Sequence, residues 1–517
     1  MKTTAMSHQT DALNYLDSRR WGALFMEQGT GKTWVLLADA ERCYQADKID
    51  AVVVVAPNGV HTNWSRREIP KHMTGPVKVW AYRAGRSMEG YKMLMKDATK
   101  SLKILCINLE ALCHKEGFLV VSNFMKGRKV MLIIDESHRI KSPTATVTKR
   151  VQKLGLVATC RRISTGTPLT NSPPDLYSQF EFMKPGFWNK DYRNFVARYA
   201  KLMPDHTGIM RHIAERAARS NPWAKKAQEL DKAAKKAGTW TPETAKWHGP
   251  QMVQKDADGR PQWRNLEELR SITEAVTFRV LKKDCLDLPD KIYRTITFEL
   301  SPAQRAAYEQ IKRQHFLEVG GDLLEATALT SRIKMQQITS GFVLFPDGRA
   351  EYIATDNPRL EALKNLIEDQ QGQFIVWAHF KEEIRAIHAM LTEMGITSCQ
   401  YHGDISKSER EIAVDGFQAG KFRVFIGQAA SGGVGLTLTA AERAIYFSQS
   451  YNWGSRSQSE DRNHRIGTEK SVLYINLVAE DTVDEEIAIA LEWKGETAST
   501  VLGDDRPVPY CAIPAVE

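Results

Sequence analysis

The sequence predicts an α/β protein with two parallel-sheet domains. Short, unbroken apolar runs rich in β-branched residues recur along the chain, as strands covered on both faces require. Helix-like stretches separate them, the rhythm of strands joined by crossover helices. A second series of the same kind begins near residue 359, after a long stretch of different pattern.

In chain order, Ala12, Leu13, Tyr15 and Leu16 mark a short amphipathic helix near the start. Gln9, on that helix, can hydrogen-bond both edges of an adenine through its amide; the alternative is an ordinary exposed helix residue. The apolar run Gly22–Met26 leads into Glu27-Gln28-Gly29-Thr30-Gly31-Lys32-Thr33, and Trp34–Ala40 reads as a helix. Glycines between a strand and a helix let backbone N–H groups turn inward around an anion. Lys32 can then reach β- and γ-phosphates, and the Thr33 hydroxyl can ligate Mg²⁺. The full phosphate-loop pattern wants glycine where this chain has Met26, so a tight turn with a surface lysine is the competing reading.

Further strands are expected at Ala51–Ala56, Lys103–Asn108, Lys129–Asp135 and Arg162–Thr165. In parallel sheets, ligands sit beyond the carboxyl ends of strands. Asp135-Glu136-Ser137-His138 follows one such run. Asp135 can hold Mg²⁺ together with Thr33, and Glu136 can orient and polarise an attacking water as general base; a solvated turn is the alternative for two adjacent acids. His138 can link the nucleotide site to later motifs, and the small hydroxyl residues and glycine of Ser164–Asn171, at the next strand end, can sense nucleotide state; taken alone the stretch is a turn.

Residues 181–285 break the rhythm. Phe182, Phe187, Trp188, Tyr192, Phe195 and Tyr199 cluster, followed by Lys225-Lys226, Lys232 and Lys235-Lys236 among Trp223, Trp240, Trp247 and Trp263. An inserted helical subdomain with tryptophan in its core is the favoured reading, and base stacking with phosphate neutralisation the other. Ser301–Val319 reads as one helix capped by Ser301, with loops at Pro346-Asp347-Gly348 and Asp356-Asn357-Pro358.

The second series has strands at Phe374–Trp377, Val424–Ile426, Ala444–Phe447 and Val472–Leu477. His402 and Gly403 lie in one intervening loop, and Ser431, Gly432 and Gly435 in another, where glycines permit close backbone approach and hydroxyls can meet phosphate oxygens. Gln458, Arg462 and Arg465 follow. Arg462 and Arg465 are three residues apart and would share a face on a helix, suiting a γ-phosphate.

At 517 residues, with 42% hydrophobic and 26% charged residues, the chain has room for about three domain-sized units. Its net charge of +9 and pI near 9.0 favour a polyanionic partner. The seven cysteines are scattered without a Cys-x-x-Cys pair, so neither a zinc site nor a disulfide framework is expected. No run approaches the ~18 apolar residues of a membrane span, and no secretory signal opens the chain, so a cytoplasmic protein is expected.

Taken together, these motifs resemble the SNF2-like branch of the superfamily 2 helicase-like ATPases, over about residues 7–480. Gln9 lies at the family's Q motif, and Met26–Thr33 resembles motif I, including its tolerance of a non-glycine first position. Val55-Ala56-Pro57 with Asn63-Trp64 is similar to motif Ia, Asp135–His138 to the DESH motif II, and Thr165–Asn171 to T-G-T-P-L-x-N. Ser431–Leu438 resembles motif V, and Gln458-x-x-Asp461-Arg462-x-x-Arg465-Ile466-Gly467 the branch's motif VI. Thr468 stands where glutamine is common, and Gln28-Gly29-Thr30 departs from the usual Met-Gly-Leu-Gly.

The resemblance implies two tandem RecA-like domains with ATP in the cleft and helical protrusions: lobe 1 over 1–180, an insertion over 181–290, a linker and protrusion over 291–356, lobe 2 over 357–500 and a tail over 501–517. Lys32, Asp135, Glu136, Arg462 and Arg465 would be catalytic. Gln9, Gln28, Gly29, Thr30, Gly31, Lys32, Thr33, Gly435, Arg462 and Arg465 would bind ATP, and Thr33 and Asp135 would bind Mg²⁺. His138, Thr165 and Gln458 would couple the lobes, and Asn63, Trp64, His402, Gly403, Ser431 and Gly432 would contact nucleic acid. The implied activity is that of a bare, monomeric, DNA-stimulated motor moving on double-stranded or branched DNA. The alternatives are a strand-separating DNA or RNA helicase and a nucleotide-sensing binding module without turnover.

Overall fold

The computed structural model describes residues 1–204, 236, 251–256, 259–354, 356–429 and 436–504. Its main body comprises Met1–Phe187 and Ser271–Glu517, and Trp188–Arg270 forms a separate inserted unit.

The main body is organised by two wholly parallel sheets. The first contains β1 (Trp21–Met26), β2 (Ala51–Ala56), β3 (Val77–Ala81), β4 (Leu102–Asn108), β5 (Val130–Asp135) and β6 (Cys160–Ser164). The unbroken apolar runs behave as expected, since every residue of β2 and β5 is buried. In the inserted unit, β7 (Leu202–Pro204) and β8 (Gln251–Val253) pair antiparallel. The helix Tyr192–Tyr199 is capped by Asp191 and packs Phe195 4.5 Å, ring to ring, from Trp188. Part of the aromatic cluster is therefore core. Trp223, Trp240, Trp247 and the lysines between 225 and 235 lie outside the described residues.

β9 (Thr277–Val280) returns to the first sheet and completes the order β3-β4-β2-β5-β6-β1-β9. The second sheet takes β10 (Lys291–Phe298) as one edge. Two hairpins follow, β11 (Phe316–Val319) with β12 (Asp322–Glu325) and β13 (Phe342–Leu344) with β14 (Ala350–Tyr352). β15 (Phe374–Ala378), β16 (Ser398–Tyr401), β17 (Val424–Gln428), β18 (Arg443–Tyr446) and β19 (Val472–Ala479) give the order β10-β19-β18-β15-β17-β16.

Several elements differ from the sequence expectation. The helix expected over 301–319 starts at Pro302 behind its Ser301 cap but stops at Gln314. His315 there adopts a left-handed conformation (φ 61°), and Phe316–Val319 turns back as β11 through Gly320-Gly321. β9 and β10 extend the two sheets with residues from stretches expected to be insertion and linker.

The carboxyl ends of β1, β5 and β6 are neighbours at one edge of the first sheet, so Met26, Asp135 and Ser164 deliver the loops that follow them to one place. That edge is held from beneath by a buried ion pair. Arg162 on β6 is 1% exposed, and its Nε donates to Asp39 Oδ2 at 2.8 Å on the helix Lys32–Gln45. Its terminal nitrogen also donates to the Arg19 carbonyl at 3.0 Å. Among the described residues, no helix is long and apolar enough to cross a membrane.

Breaking a buried pair leaves one charge uncompensated, at a cost of about 3–5 kcal/mol. Arg162→Met should therefore lower the first thermal unfolding transition clearly, and the double variant Asp39→Leu/Arg162→Met should recover most of the loss. Differential scanning calorimetry checks both.

Candidate active site

The loop after β1 is shaped by two glycines with left-handed φ, Gly29 (89°) and Gly31 (86°). A Cβ on Gly31 would stand 2.1 Å from Gln9 Nε2, so glycine is required there by close approach as well. The helix that follows has no acidic residue in its first turn, which leaves its free N–H groups and positive dipole end available to an anion. Lys32, its first residue, donates to the Met26 and Glu27 carbonyls at 2.9 and 3.0 Å. Burial pulls the Lys32 pKa down, opposed by the charges of Glu136 and Asp135.

Gln9 and Thr30 hold the loop from behind. The Thr30 hydroxyl donates to the Glu27 carbonyl at 2.7 Å, and the Thr30 carbonyl accepts from His8 Nε2 and Gln9 Nε2 at 2.8 and 3.3 Å. Gln9 Oε1 meanwhile accepts from the Met6 N–H at 3.0 Å. The Gln9 amide thus uses one N–H and one acceptor site inside the chain and keeps a second of each, and the Thr30 side chain shapes the loop. Gln28 is partly covered by the loop after β6, where a Cβ on Gly166 would be 3.1 Å from Gln28 Cγ.

Asp135 is buried at the end of β5. Its carboxylate accepts from Trp64 Nε1 at 3.0 Å and from the Ser164 hydroxyl at 2.9 Å. Burial and the adjacent Glu136 charge push its carboxyl pKa up. Glu136 sits at φ 53°, a left-handed conformation costly for a non-glycine residue and commonest at functional sites. Burial would raise its pKa, but the hydrogen bonds from His138 and Thr165 and the Lys32 charge hold it at about 2. Its Oε2 accepts from Thr165 Oγ1 at 3.1 Å, with His138 Nδ1 3.4 Å away.

The expected coupling residues meet. His138 Nδ1 is 2.9 Å from Thr165 Oγ1, and Gln458 Nε2, from the helix Trp453–Glu460, lies 3.2 Å from Thr167 Oγ1 and 3.5 Å from His138 Nε2. Because Thr165 Oγ1 donates to Glu136, it accepts from His138, which puts a proton on Nδ1.

The helix ends at Glu460, so Arg462 and Arg465 lie in the turn that follows and not on a shared helix face as expected. Arg462 is 3% exposed, and its guanidinium makes no hydrogen bond to the described residues; Nε is fully enclosed. Burial pulls its pKa down, while the charges of Asp461 and Glu136 favour the cation. Arg465 donates to the Leu436 carbonyl at 3.1 Å. A Cβ on Gly29 would be 4.0 Å from Arg465 Cβ, so the arginine turn abuts the phosphate loop.

The expected nucleic-acid residues are less uniform. Trp64 is 1% exposed and bonded to Asp135, so it cannot stack on a base. It opens a π-helical turn, Trp64–Glu68, and Asn63 Nδ2 bonds Glu68 Oε1 at 3.3 Å. His402 is buried beside Gln400, whereas Gly403 is exposed with open space where a Cβ would be. Ser431, Gly432 and Gly435 lie outside the described residues. Sequence reasoning missed the bonds of Trp64 and Ser164 to Asp135 and the buried pair of Lys282 with Asp461. Ser164, in the hydroxyl-rich strand end, and Asp461, next to Arg462, carried a usable signal; Lys282 carried none.

A family model described as the SNF2-related domain matches residues 8–341, and one described as the helicase conserved C-terminal domain matches 358–467. The chain belongs to the SNF2-related family. This SNF2-related chain is 24% identical over 512 residues to an uncharacterized ATP-dependent helicase of Mycoplasma pneumoniae, covering 97% of this chain and 42% of that protein. It is 26% identical to the mouse DNA annealing helicase and endonuclease ZRANB3, covering 97% and 41%. A Sulfolobus solfataricus SWI2/SNF2 ATPase core in complex with dsDNA aligns over 98% of both chains at 20% identity and TM-score 0.40. The chain thus spans about two fifths of the length of these two curated relatives.

The arginine turn also holds a titratable group. Burial pushes His464 down to about 4, and its Nε2–H donates to the Pro289 carbonyl at 2.7 Å. Above the ordinary histidine pKa of about 6.5, both folded and unfolded states are neutral there. As pH falls from there toward 4, the unfolded chain takes a proton that the folded chain refuses, so stability is lost. The thermal midpoint of His464→Gln, which keeps a donor for Pro289, should fall less steeply over this window than that of the unmodified chain.

Proposed function

We propose that this chain is an ATP-hydrolysing motor that moves along double-stranded DNA, with ATP held between the loop after β1 and the turn carrying Arg462 and Arg465. The observation that carries the reading is the Arg462 guanidinium, buried without a hydrogen-bond partner among the described residues and within electrostatic reach of Glu136. A buried cation in that state is costly unless an anion completes it. A γ-phosphate on the free N–H groups of the helix Lys32–Gln45 would do so.

In this reading Gly29, Gly31 and Lys32 cradle the phosphates, while Gln9, Gln28 and Thr30 brace the loop. Thr33 and Asp135 would hold Mg²⁺, and they suit it. The Thr33 hydroxyl has no hydrogen bond among the described residues, and Asp135 is a buried carboxylate beside a second negative charge. No group of three or more acidic, His or Cys residues among the described residues could hold a metal by itself. Mg²⁺ characteristically takes one or two carboxylates plus substrate phosphates and water. Bound there, it neutralises charge on the phosphates.

Glu136, ionised and with a pKa of about 2, is a weak proton acceptor. Its role is to orient and polarise the water that attacks the γ-phosphorus as the P–O bond to ADP breaks; the water's proton ends on the released phosphate. Arg462, with Arg465 beside it, stabilises the charge on the transferring phosphoryl group. The contacts of Gln458 with His138 and Thr167 tie that turn to the acids, so the arrangement around phosphate reports to both sheets. DNA as the track is supported by the +9 charge and by the names of the relatives. Gly403, Asn63, Ser431 and Gly432 remain the proposed contacts.

ATP hydrolysis measured with duplex DNA, single-stranded DNA and RNA tests the reading. Duplex DNA should stimulate most, with triplex displacement and no strand separation. No hydrolysis under any condition, or stimulation by RNA alone, would overturn it. Arg462→Ala should lower kcat by about 10³-fold or more. Glu136→Gln should bind ATP normally in equilibrium titration and fail to turn it over.

A further inference from the structure

Lys282 opens the short helix Lys282–Cys285, just beyond β9, and is 4% exposed. It touches both halves of the proposed site. Its backbone N–H donates to Glu27 Oε2 at 2.5 Å, and the Glu27 N–H donates to the Val280 carbonyl at 2.9 Å. Glu27 is the first residue of the loop that carries Lys32. The Lys282 ammonium donates to Asp461 Oδ1, and to the His464 carbonyl at 2.7 Å. Asp461 and His464 bracket Arg462 and immediately precede Arg465.

Chemistry favours a geometric role. Burial pushes the Asp461 carboxyl up, but the charges of Lys282 and Lys291 hold it below the usual range, so the pair is ionic. Well-packed apolar side chains of similar volume commonly match or exceed a buried ion pair in stability. A lysine has three donors in a tetrahedral head, and here two of them fix two points of one turn. Asp461 is thereby neutralised by Lys282 and does not bind the adjacent Arg462 guanidinium.

We propose that Lys282 is a positioning residue that sets Arg462 and Arg465 against the phosphate loop. This rests on the ATP-hydrolysing reading above. Lys282 acts through Asp461 and the His464 carbonyl and touches no substrate. Its bond to Glu27 runs through the backbone and survives substitution, so a side-chain variant releases the arginine turn and leaves the loop in place.

The test uses the full chain with Lys282→Met, which keeps the stem and removes the ammonium. Because that leaves Asp461 buried and unpaired, the double variant Lys282→Met/Asp461→Asn is measured beside it and beside Asp461→Asn. Misplacing a reacting group by about 1 Å can cost 10²-fold. The expected result is a fall in kcat of about tenfold or more with KM for ATP within about threefold, and a double variant no worse than the worse single. Hydrogen exchange, which needs no turnover, should be faster at amides 461–468 in both Lys282 variants and unchanged in the helix Lys32–Gln45. Unchanged kcat and exchange would overturn the inference while leaving the motor reading intact. A rise in KM alone would also overturn it. If the unmodified chain hydrolyses no ATP, the motor reading fails, and the exchange at 461–468 still decides whether Lys282 holds the turn.

Discussion

A buried guanidinium with no hydrogen-bond partner among the described residues is the constraint on which this structure turns. Arg462 is enclosed in protein and bonded to none of the described residues. The nearest carboxylate along the chain, Asp461, is bound to Lys282. Had Asp461 paired with Arg462, the turn would be electrostatically complete and indifferent to a ligand. The structure instead keeps a cation poised beside a loop with free N–H groups, a geometry complementary to a polyphosphate.

Holding that cation against the acids takes the parallel architecture. Loops from β1, β5 and β6 emerge side by side only because these strands are adjacent and parallel in one sheet. Glu136 is then turned into a left-handed conformation, where His138 and Thr165 hold its carboxylate. Strain of that kind persists only when the surroundings over-determine it. Thr165 leads on, through Thr167, to Gln458, so a hydrogen-bonded path joins the acid of the first sheet to the helix that precedes the arginine turn. Two close approaches bring the segments together: a Cβ on Gly454 would be 2.5 Å from Thr170, and Arg279 forms a two-point pair with Asp504.

Much of this was legible in the amino-acid order. The unbroken runs of β2 and β5 are legible because a strand buried on both faces cannot alternate. β3, β10 and β16 escaped for the opposite reason. Val77–Ala81 and Lys291–Phe298 mix polar and apolar residues on half-covered edge strands, and Ser398–Tyr401 is only four residues long. The residues proposed to carry the chemistry, Lys32, Asp135, Glu136, Arg462 and Arg465, could be named from motifs and their order. Their supports could not. Trp64, an expected nucleic-acid contact, packs inward to bond Asp135, and Lys282 meets Asp461 across 179 residues of chain. Gln9 reads as a nucleotide-facing amide, and its close packing against Gly31 and its bond to the Thr30 carbonyl add a bracing contact that motif order does not show. Contacts of this kind depend on folded proximity, which neither periodicity nor spacing encodes.

The central claim is that a single chain supplies both halves of one hydrolytic site. Trans-complementation tests it most directly: steady-state ATP hydrolysis, with duplex DNA present, by an equimolar mixture of Lys32→Ala and Arg462→Ala chains beside the unmodified chain. The account predicts turnover by the unmodified chain and a mixture no more active than its two components measured separately. A mixture that regains activity would place the arginine of one chain in the site of another and contradict the account.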